Sequence, residues 1–369
     1  MAQTIVGLND PKAVNKFSGY LAVDVGRESY FNKKFMGKGE NARTPLQLLP
    51  HLESDAGEQI SFDLSLQLTG QPIEGDETQE GTEEDLKFYT DQVYIDQMRG
   101  GVNGGGRMTR KRTLHDLRQV ARKRQSEWWS RVFDELFFMY LSGDRGINSD
   151  YIFPQDYSGF ANNPVTAPDS QHHLFGGSAT SKSTMTTSDV FSLDLIDKAV
   201  TRATMMGGGT QNTPQIQPIR INGEDHYVCV MNPWQEYDVR TNTNQGQWLD
   251  IQKAAAQAEG RSSPIFQGSL GMYNNVILHK HKAVTRFDDY GSGGDVEVAR
   301  ALFLGTQAGV VAFGSPGSGL RFDWHEESRD NGNQVVISTY SIFGTKKTRF
   351  EGQDFGVMAL DTAASDPTT

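Results

Sequence analysis

Residues 112–143 read RTLHDLRQVARKRQSEWWSRVFDELFFMYLSG, a segment that predicts one long helix. Apolar side chains recur in it at helical spacing, at Leu114, Leu117, Ala121, Trp128, Val132 and Leu136. Thr113 and Asp116 resemble a capping pair at its start, and Gly143 is a typical stop. About thirty residues with a rise of about 1.5 Å each would extend roughly 45 Å, which is long for a globular protein. We therefore expect a spine helix over about residues 110–143.

Two blocks of opposite charge lie before and at the start of this helix. The acidic block has seven carboxylates and no basic residue: Glu74, Asp76, Glu77, Glu80, Glu83, Glu84 and Asp85. The basic block contains Arg107, Arg110, Lys111, Arg112, Arg118, Arg122, Lys123 and Arg124. Basic residues are unfavourable at a helix N-terminus, so a negative partner from outside would stabilise them. We interpret the two blocks as an assembly device between neighbouring subunits. The contact residues expected on the basic side are Arg110, Lys111, Arg112, Arg118 and Arg122.

The acidic block lies between two segments with strand character. Ile60, Phe62, Leu64, Leu66 and Leu68 alternate with polar residues, which places five apolar side chains on one face of a strand. A less regular partner spans 86–98, so residues 58–100 are expected to form a long β-hairpin with the acidic block at its tip. A two-stranded ribbon is marginal in water, so its apolar face needs another surface. Five glycines between residues 100 and 106 predict a hinge after the hairpin.

The rest of the chain carries weaker patterns. Residues 1–57 contain scattered prolines and no sustained period, which favours an extended arm. Helices are expected at 188–206, 233–240 and 248–258, and strands at 219–221, 226–231, 275–281, 299–304, 310–313 and 334–343. The small, polar tail after Asp361 is expected to be disordered. This mixture of helices and separate strands indicates an α+β fold.

Composition argues against several classes of protein. A net charge of −11 and a pI near 5.2 disfavour a dedicated nucleic-acid binder, because neutralising phosphates requires the opposite balance. No apolar run approaches the roughly 20 residues of a membrane span, and the N-terminus lacks the features of a secretion signal. The single cysteine, Cys229, excludes an internal disulfide framework and is expected to be a buried thiol. We therefore expect synthesis in the cytosol, no membrane contact, and stability from packing and association.

Candidate catalytic and metal-binding residues are few. His279 and His281 are two apart on an expected strand, but no acid or cysteine completes a metal site, so ordinary strand-edge residues are favoured. His172 and His173 are adjacent in a polar loop and are expected to be solvated. The glycine clusters match neither a phosphate-binding loop nor a nucleophile elbow. We expect no catalytic residue, no metal and no cofactor.

In order and character, these segments resemble the major capsid proteins of tailed phages, in particular the group typified by the coat of the N4-like podoviruses. The spine segment carries the resemblance at Arg112, Thr113, Asp116, Leu117, Arg118, Ala121, Arg122, Trp128, Asp134, Glu135, Phe138, Leu141 and Gly143. Further matches are the stretches 219–223, 227–228, 264–274 and 300–305. The resemblance thus covers most of the chain.

The resemblance implies the capsid fold first seen in phage Hong Kong 97. Its parts would be an N-terminal arm (1–57), an E-loop hairpin (58–100), a P-domain with the spine helix and a following loop (101–187), an axial A-domain (188–320), and P-domain strands with a C-terminal tail (321–369). The acidic hairpin tip would lie over the P-domain of the next subunit. No lysine occurs between Gly39 and Leu86, so the lysine–asparagine cross-links of some coats with this fold are not expected.

The function implied by the resemblance is a coat protein that assembles into hexamers and pentamers and so into an icosahedral head around double-stranded DNA. Its expected partners are copies of itself, with scaffolding, decoration and portal proteins as further candidates, and packaged DNA held without sequence preference. It would reside in the virion after assembly in the host bacterial cytoplasm. Two alternatives stay open: an encapsulin-like nanocompartment shell, and a two-domain metal-dependent hydrolase, for which the histidine pairs give thin support.

Overall fold

The computed structural model shows an α+β fold with two main sheets and one long central helix. It describes residues 11–39, 42–50, 57–65, 71–75, 80–81, 83, 88–113, 116–206, 215–221, 223–241, 265, 269–315 and 321–368. The helices in this part of the chain are Pro11–Glu28 (α1), Tyr30–Lys34 (α2), Arg107–Arg112 (α3), Leu117–Ser142 (α4), Leu193–Met205 (α5) and Pro233–Thr241 (α6).

The strands range in length from two residues to the fourteen residues of Gln334–Lys347. In chain order they are Met36–Lys38 (β1), Leu46–Leu49 (β2), Gln59–Ser65 (β3), Phe88–Tyr94 (β4), Asp96–Asn103 (β5), Gly159–Phe160 (β6), Asn163–Pro164 (β7), His173–Phe175 (β8), Ile219–Ile221 (β9), Glu224–Met231 (β10), Gly271–Tyr273 (β11), Val276–Lys280 (β12), Arg286–Tyr290 (β13), Val296–Leu304 (β14), Gly309–Gly314 (β15), Asp323–Arg329 (β16), Gln334–Lys347 (β17), Arg349–Phe350 (β18), Gln353–Asp354 (β19) and Val357–Ala363 (β20).

Most strands belong to the two main sheets. The six-stranded sheet has the order β1-β2-β15-β17-β16, and β5 also pairs with β17. The eight-stranded sheet has the order β11-β12-β10-β14-β20-β8, with β13 paired to β14 and β9 to β10. Both sheets therefore join strands that are far apart in the sequence, and the core depends on non-local contacts.

The predicted spine helix is present as α4, but it begins later than expected. Asp116 caps it, because the Asp116 carboxylate accepts a hydrogen bond of 3.0 Å from the Arg118 N–H. Thr113 instead ends the separate helix α3, so the expected pairing of Thr113 with Asp116 is wrong. An aspartate that bonds to nearby backbone N–H groups favours a cap over a helix interior, which explains the break. Gly143 ends α4 with a left-handed φ of 73°, as predicted.

The second half of α4 lies at the centre of the largest hydrophobic core. Trp129 and Phe133 stack with ring centroids 5.9 Å apart, and Phe133 contacts Phe343 of β17 at 4.7 Å. The buried Trp129 Nε1–H donates to the Thr339 hydroxyl of β17 at 2.9 Å, so its polar group is satisfied. These contacts fix the spine helix against the six-stranded sheet.

The N-terminal arm contains a helix where an extended arm was expected. In α1, Leu21 and Val25 are buried in the same core as α4. The Ser126 hydroxyl of α4 donates to the Glu28 carboxylate at 2.9 Å, which holds the C-terminal end of α1. The prediction of an extended arm is wrong. The buried face of α1 has few apolar residues, and one pair of apolar residues four apart is too weak a pattern to indicate a helix in the sequence.

The glycine segment after the hairpin starts as a strand, and the prediction of a hinge is wrong for Gly100 and Gly101, which lie in β5. β5 pairs antiparallel with β17, with Gly100 opposite Thr339 and Gly101 opposite Ser338. A Cβ at Gly100 would lie 2.6 Å from the Trp128 ring, so this position requires glycine for close packing. The first glycines of the segment therefore let the Trp128 ring pack closely against the backbone of β5 and do not act as a pivot.

The C-terminus is also part of the fold. β20 extends to Ala363 in the eight-stranded sheet, and Thr362, Ala363 and Ala364 are buried, so the prediction of a disordered tail is wrong. The strands predicted from 219 to 343 and the helix at 233–240 all overlap observed elements, and α5 begins five residues later than its prediction at 188. The helix predicted at 248–258 lies outside the described residues. None of the described helices is long and apolar enough to cross a membrane.

Candidate assembly surface

The predicted hairpin is present, and its base is anchored on its own subunit. β3 and β4 pair antiparallel, with Ile60 opposite Val93. Ile60, Phe62 and Val93 are buried with side chains of β2 and β15 in a small core of their own. The first part of the apolar face therefore packs on the six-stranded sheet of the same chain. The sequence had suggested that this face needs a neighbouring subunit. The side chains further along this face, from Leu64 onward, lie outside the described part of the chain.

The tip of the hairpin presents negative charge to solvent. Glu74, Glu80 and Glu83 are exposed. The Glu83 carboxylate accepts a hydrogen bond of 2.7 Å from the Gly81 N–H, which shapes the turn. The other predicted carboxylates lie outside the described residues: Asp76, Glu77, Glu84 and Asp85. Among the residues that the structure describes, no carboxylate of the acidic block forms an ion pair with a residue of the basic block.

The residues of the basic block lie in two parts of the structure. The first part is the short helix α3. It lies on the hairpin turn between β16 and β17, where Arg107 Nε donates to the Gly332 carbonyl at 3.3 Å and Arg110 Nη2 donates to the Asn333 carbonyl at 3.0 Å. These carbonyls hold α3 in place, and no carboxylate in the described part of the chain forms an ion pair with its arginines. Lys111 and Arg112 are exposed and make no ion pair with any described residue. They are exposed positive charges at the end of α3.

The second part is the start of α4, where the arginines have partners in their own chain. Arg118 Nη2 lies 2.8 Å from the Glu326 carboxylate of β16, and Arg122 Nε lies 3.6 Å from the Asp24 carboxylate of α1. These pairs hold β16 and α1 against the spine helix. Arg118 and Arg122 are thus less available to a neighbour than Lys111 of α3, and their predicted role between subunits stays a prediction.

An apolar patch beside the basic block was not predicted. Tyr20 and Val23 of α1 and Val120 of α4 are 47%, 50% and 44% exposed. A groove of about 500 Å³ lies between the two helices and is lined by charges of both signs, including Asp24 and Lys123. The available signal was the i, i+3 spacing of Tyr20 and Val23, which indicates a shared face only once the segment is taken as a helix.

Within the described part of the chain, His279 of β12 and His281, just after that strand, form no metal site. His279 is fully buried, and its Nε2 lies 2.7 Å from the Ile265 carbonyl. Burial lowers the pKa of His279 and of His281 to about 4, with nearby lysines adding to the shift. No group of three or more His, Cys, Asp or Glu side chains with metal-binding geometry occurs among the described residues. The prediction of strand-edge histidines is wrong for His279, which lies inside the sheet.

His172 and His173 are not solvated, as had been expected. Nδ1 of His172, which is fully buried, lies 2.9 Å from the Asp169 carboxylate. Nε2 of His173 lies 2.5 Å from the buried Asp361 carboxylate. The prediction is wrong because each imidazole has a carboxylate partner, and the partner of His173 is far away in the sequence.

Comparison with known proteins relates nearly the whole chain to one family. The model of the phage capsid protein family matches residues 5–366. The major capsid protein of Pseudomonas phage KPP25 is 25% identical over 363 residues, which cover 92% of each chain. The similarity is not confined to one segment and includes both sheets and the spine helix.

Solved structures extend the comparison to three dimensions. The capsid of Ralstonia phage GP4 is 52% identical, has a TM-score of 0.87 and is matched over 99% of both chains. The capsid of cyanophage Pam1 is 19% identical with a TM-score of 0.68, over 89% of this chain and 91% of the other, and that likeness concerns the fold alone. These matches confirm the α+β class and the Hong Kong 97-type architecture predicted from the sequence.

Proposed function

Because this chain belongs to the phage capsid protein family, we propose that its copies join into a shell in which the acidic hairpin tip of one subunit contacts the basic surface of the next. The observation that carries this proposal is the presence of two complementary charged surfaces on one chain. Glu74, Glu80 and Glu83 are exposed at the tip, and Lys111 and Arg112 are exposed on α3.

The chain is the major capsid protein of a tailed phage, a structural protein of the virion and not an enzyme. The resemblance drawn from the sequence is confirmed at this level, while the assignment to the N4-like group stays a prediction. The relatives are phage capsid proteins, which favours a genome-enclosing head over a nanocompartment shell and over a metal-dependent hydrolase.

We propose a finer organisation by analogy with the Hong Kong 97-type fold. Residues 58–100 would be the E-loop, 101–187 and 321–369 the P-domain, 188–320 the A-domain and 1–57 the N-terminal arm. Hexamers and pentamers would close an icosahedral head, built in the host bacterial cytoplasm with scaffolding, decoration and portal proteins as candidate partners. A net charge of −11 fits a container that encloses double-stranded DNA without tight or sequence-specific contact.

The charged contact would select the partner surface more than it would stabilise any one pair of subunits. An exposed ion pair contributes only about 0–1 kcal/mol, because water and salt screen it. In a closed symmetric shell every subunit repeats the same contact, so small contributions add over the whole particle. Complementary charges also suppress wrong pairings, since like charges repel. Assembly should therefore weaken as the salt concentration rises.

Charge reversal tests the proposal. The variant E74K/E80K/E83K should give far fewer particles by sedimentation and negative-stain electron microscopy, because three repulsive contacts replace attractive ones. Adding K111E/R112E should restore part of the yield. Adding R118E/R122E should restore less, because those arginines have internal partners. Unchanged particle yield in the triple variant would refute the pairing, although not the membership of the family.

A matched control separates the hairpin from a general effect of charge. Asp194 and Glu224 are 68% and 79% exposed and lie outside the two charged surfaces. The variant D194K/E224K reverses two exposed acids and, compared with the equally charged E74K/E80K, should assemble more nearly like the original chain. Equal loss in the control would show that total charge, and not the hairpin tip, governs the yield.

A further inference from the structure

A small docking element joins the N-terminal helix to the body of the subunit. It consists of residues 29–34, namely the N-cap residue Ser29 and α2, and we call it the latch. Asp134 of α4 accepts three hydrogen bonds from it: from Ser29 Oγ at 2.8 Å, from the Tyr30 N–H at 3.0 Å and from the Phe31 N–H at 3.3 Å. Asp134 is buried and makes no ion pair with any residue the structure describes. The latch is thus held by a carboxylate that has hydrogen bonds but no cation.

Two imidazoles pack directly against the latch. The Tyr30 ring lies 4.6 Å from the His281 ring and 6.2 Å from the His279 ring, measured between centroids. His281 also stacks on Phe138 of α4 at 5.0 Å. Phe35, which follows the latch, lies edge-on to His279 at 5.2 Å. Apolar rings therefore surround both histidines while the latch is docked.

The surroundings of these histidines disfavour a positive charge. Nε2 of His279 faces the Ile265 carbonyl, and its Nδ1 is buried with no hydrogen-bond partner among the described residues. Lys34 of the latch acts on both imidazoles and Lys282 acts on His281. A positive charge on the fully buried His279 would lack both water and a counter-ion, and a positive charge on the partly buried His281 would be repelled by two ammonium groups.

The other titratable groups around the latch either affect the histidines less than the lysines do or are uncharged. Asp150 acts on His281 in the direction that favours a positive charge, but less than the two lysines do. Cys229 faces Tyr30 from β10, and burial raises the pKa of its thiol to about 12, so it is uncharged. Burial also raises the pKa of Tyr30 well above its usual value. Asp134 is therefore the one acidic group in direct contact with the latch backbone among the described residues.

We propose that the latch is released by acid: when His279 and His281 bind protons, residues 29–34 leave their pocket and α1 loses the anchor at its C-terminal end. The device is built from groups on α2, on α4, and on β12 with the residue that follows it, His281. It gives the N-terminal arm a docked state at neutral pH and a detached state in acid, while the two sheets stay intact.

The direction of the effect follows from linkage. In the docked state the pKa of each histidine is about 4, below the ordinary 6.5, so docking is favoured above pH 6.5 and is lost as the pH falls toward 4. Asp134 acts in the opposite direction, because burial raises its pKa from 3.8 to about 6, so that its protonation favours docking between those values. At pH 5 the histidines favour release by roughly 30-fold each and Asp134 favours docking by roughly 10-fold, which leaves roughly 100-fold net release.

Hydrogen exchange of the full chain, measured by mass spectrometry at pH 8 and pH 5 and corrected for intrinsic rates, tests this directly. The peptide covering 29–35 should lose roughly 100-fold of its protection at pH 5, while a peptide from β14 should not change. The variant H279Q/H281Q should not lose protection at pH 5 and should instead gain up to roughly 10-fold, because only the titration of Asp134 remains. D134N should enlarge the loss of protection at pH 5, since the opposing titration is absent. Each result is a ratio between two pH values, so a variant that docks less tightly at all pH values is still informative.

Substitution of another buried histidine provides the matched control. His226 of β10 is 3% exposed and does not contact the latch rings. H226Q should leave the pH response of residues 29–35 unchanged. If the double variant does not fold, H281Q alone should reduce the response by roughly 30-fold. Equal protection of the latch at both pH values in the original chain, or a full response in H279Q/H281Q, would overturn the proposal.

Discussion

Arg300 and Asp361 form a bidentate ion pair inside the eight-stranded sheet, with Arg300 Nε 2.7 Å from Asp361 Oδ1 and Nη2 2.8 Å from Oδ2. Their side chains are 6% and 0% exposed. Arg300 Nη1 donates to the Ser142 carbonyl at 2.8 Å, and the Tyr290 hydroxyl donates to Asp361 at 2.6 Å. The pair lies between β14 and β20 and also ties the last turn of the spine helix to that sheet.

Removing one partner of this pair should be much worse than removing both. R300M leaves the Asp361 carboxylate buried without its cation, which should lower the free energy of unfolding by about 3–5 kcal/mol. R300M/D361L replaces both charges with apolar groups and should lose much less, because no uncompensated charge remains. Urea unfolding of soluble subunits measures both. Equal losses in the single and double variants would contradict this account.

The acid response of Asp361 gives an independent check. Burial alone would raise the pKa of this carboxyl, but Arg300 and His173 hold it well below its usual range. The pair therefore stabilises the fold at all pH values above the ordinary pKa of an aspartate, and its contribution is lost only in strong acid. In R300M the burial effect is no longer opposed by the arginine, so the difference in unfolding free energy between the original chain and R300M should be largest at pH 8 and should not grow toward pH 6.

Local periodicity made the spine helix and the hairpin predictable. The spacing of Trp128, Val132 and the neighbouring apolar residues specifies a helix, and the alternation around Ile60 and Phe62 specifies a strand. The long-range partners of charged residues were not predictable in this way. Nothing near Arg300 in the chain indicates that Asp361 lies opposite it on the neighbouring strand, because that register depends on the folded sheet.

The candidate site shows the same limit. The two charge blocks were visible in the sequence, but the ion pair of Arg118 with Glu326 was not, because it depends on the position of β16 beside α4. From the sequence alone, the glycines after the hairpin are compatible with two roles, a flexible pivot or close packing of another group against the backbone. Only the position of Trp128 over Gly100 decides between them.

Alanine substitution at two adjacent glycines of β5 tests that assignment. A Cβ at Gly100 would lie 2.6 Å from the Trp128 ring, whereas at Gly101 the nearest atom would be 3.4 Å away. G100A should therefore destabilise the subunit by about 1–3 kcal/mol through overpacking. G101A should cost clearly less, since its methyl group fits at an ordinary contact distance. Thermal unfolding measures the difference, and equal effects would indicate a hinge instead of close packing.

The start of the spine helix predicts a second pair of variants. D116A removes the acceptor of the Arg118 N–H and should cost about 0.5–2 kcal/mol. D116N retains a side-chain oxygen at the cap and should remain close to the original stability. Hydrogen exchange in the first turn of α4 should rise in D116A alone. Comparable exchange in both variants would mean that the charge of Asp116, and not its cap, stabilises this turn.

The thiol of Cys229 should be unreactive in the folded subunit. Cys229 is completely buried in β10, which is paired on both sides by β12 and β14, and burial raises the pKa of its thiol to about 12. At pH 8 the thiolate fraction is then roughly one in ten thousand, and an alkylating reagent has no path to the sulfur.

Iodoacetamide tests this expectation. Measured by intact mass, it should add no group to the native chain and a single group to the chain in denaturant. E224C, on the exposed start of the same strand, should be alkylated readily under native conditions. Native labelling of Cys229 at the rate of E224C would show that the centre of the eight-stranded sheet opens to solvent, which its pairing on both edges opposes.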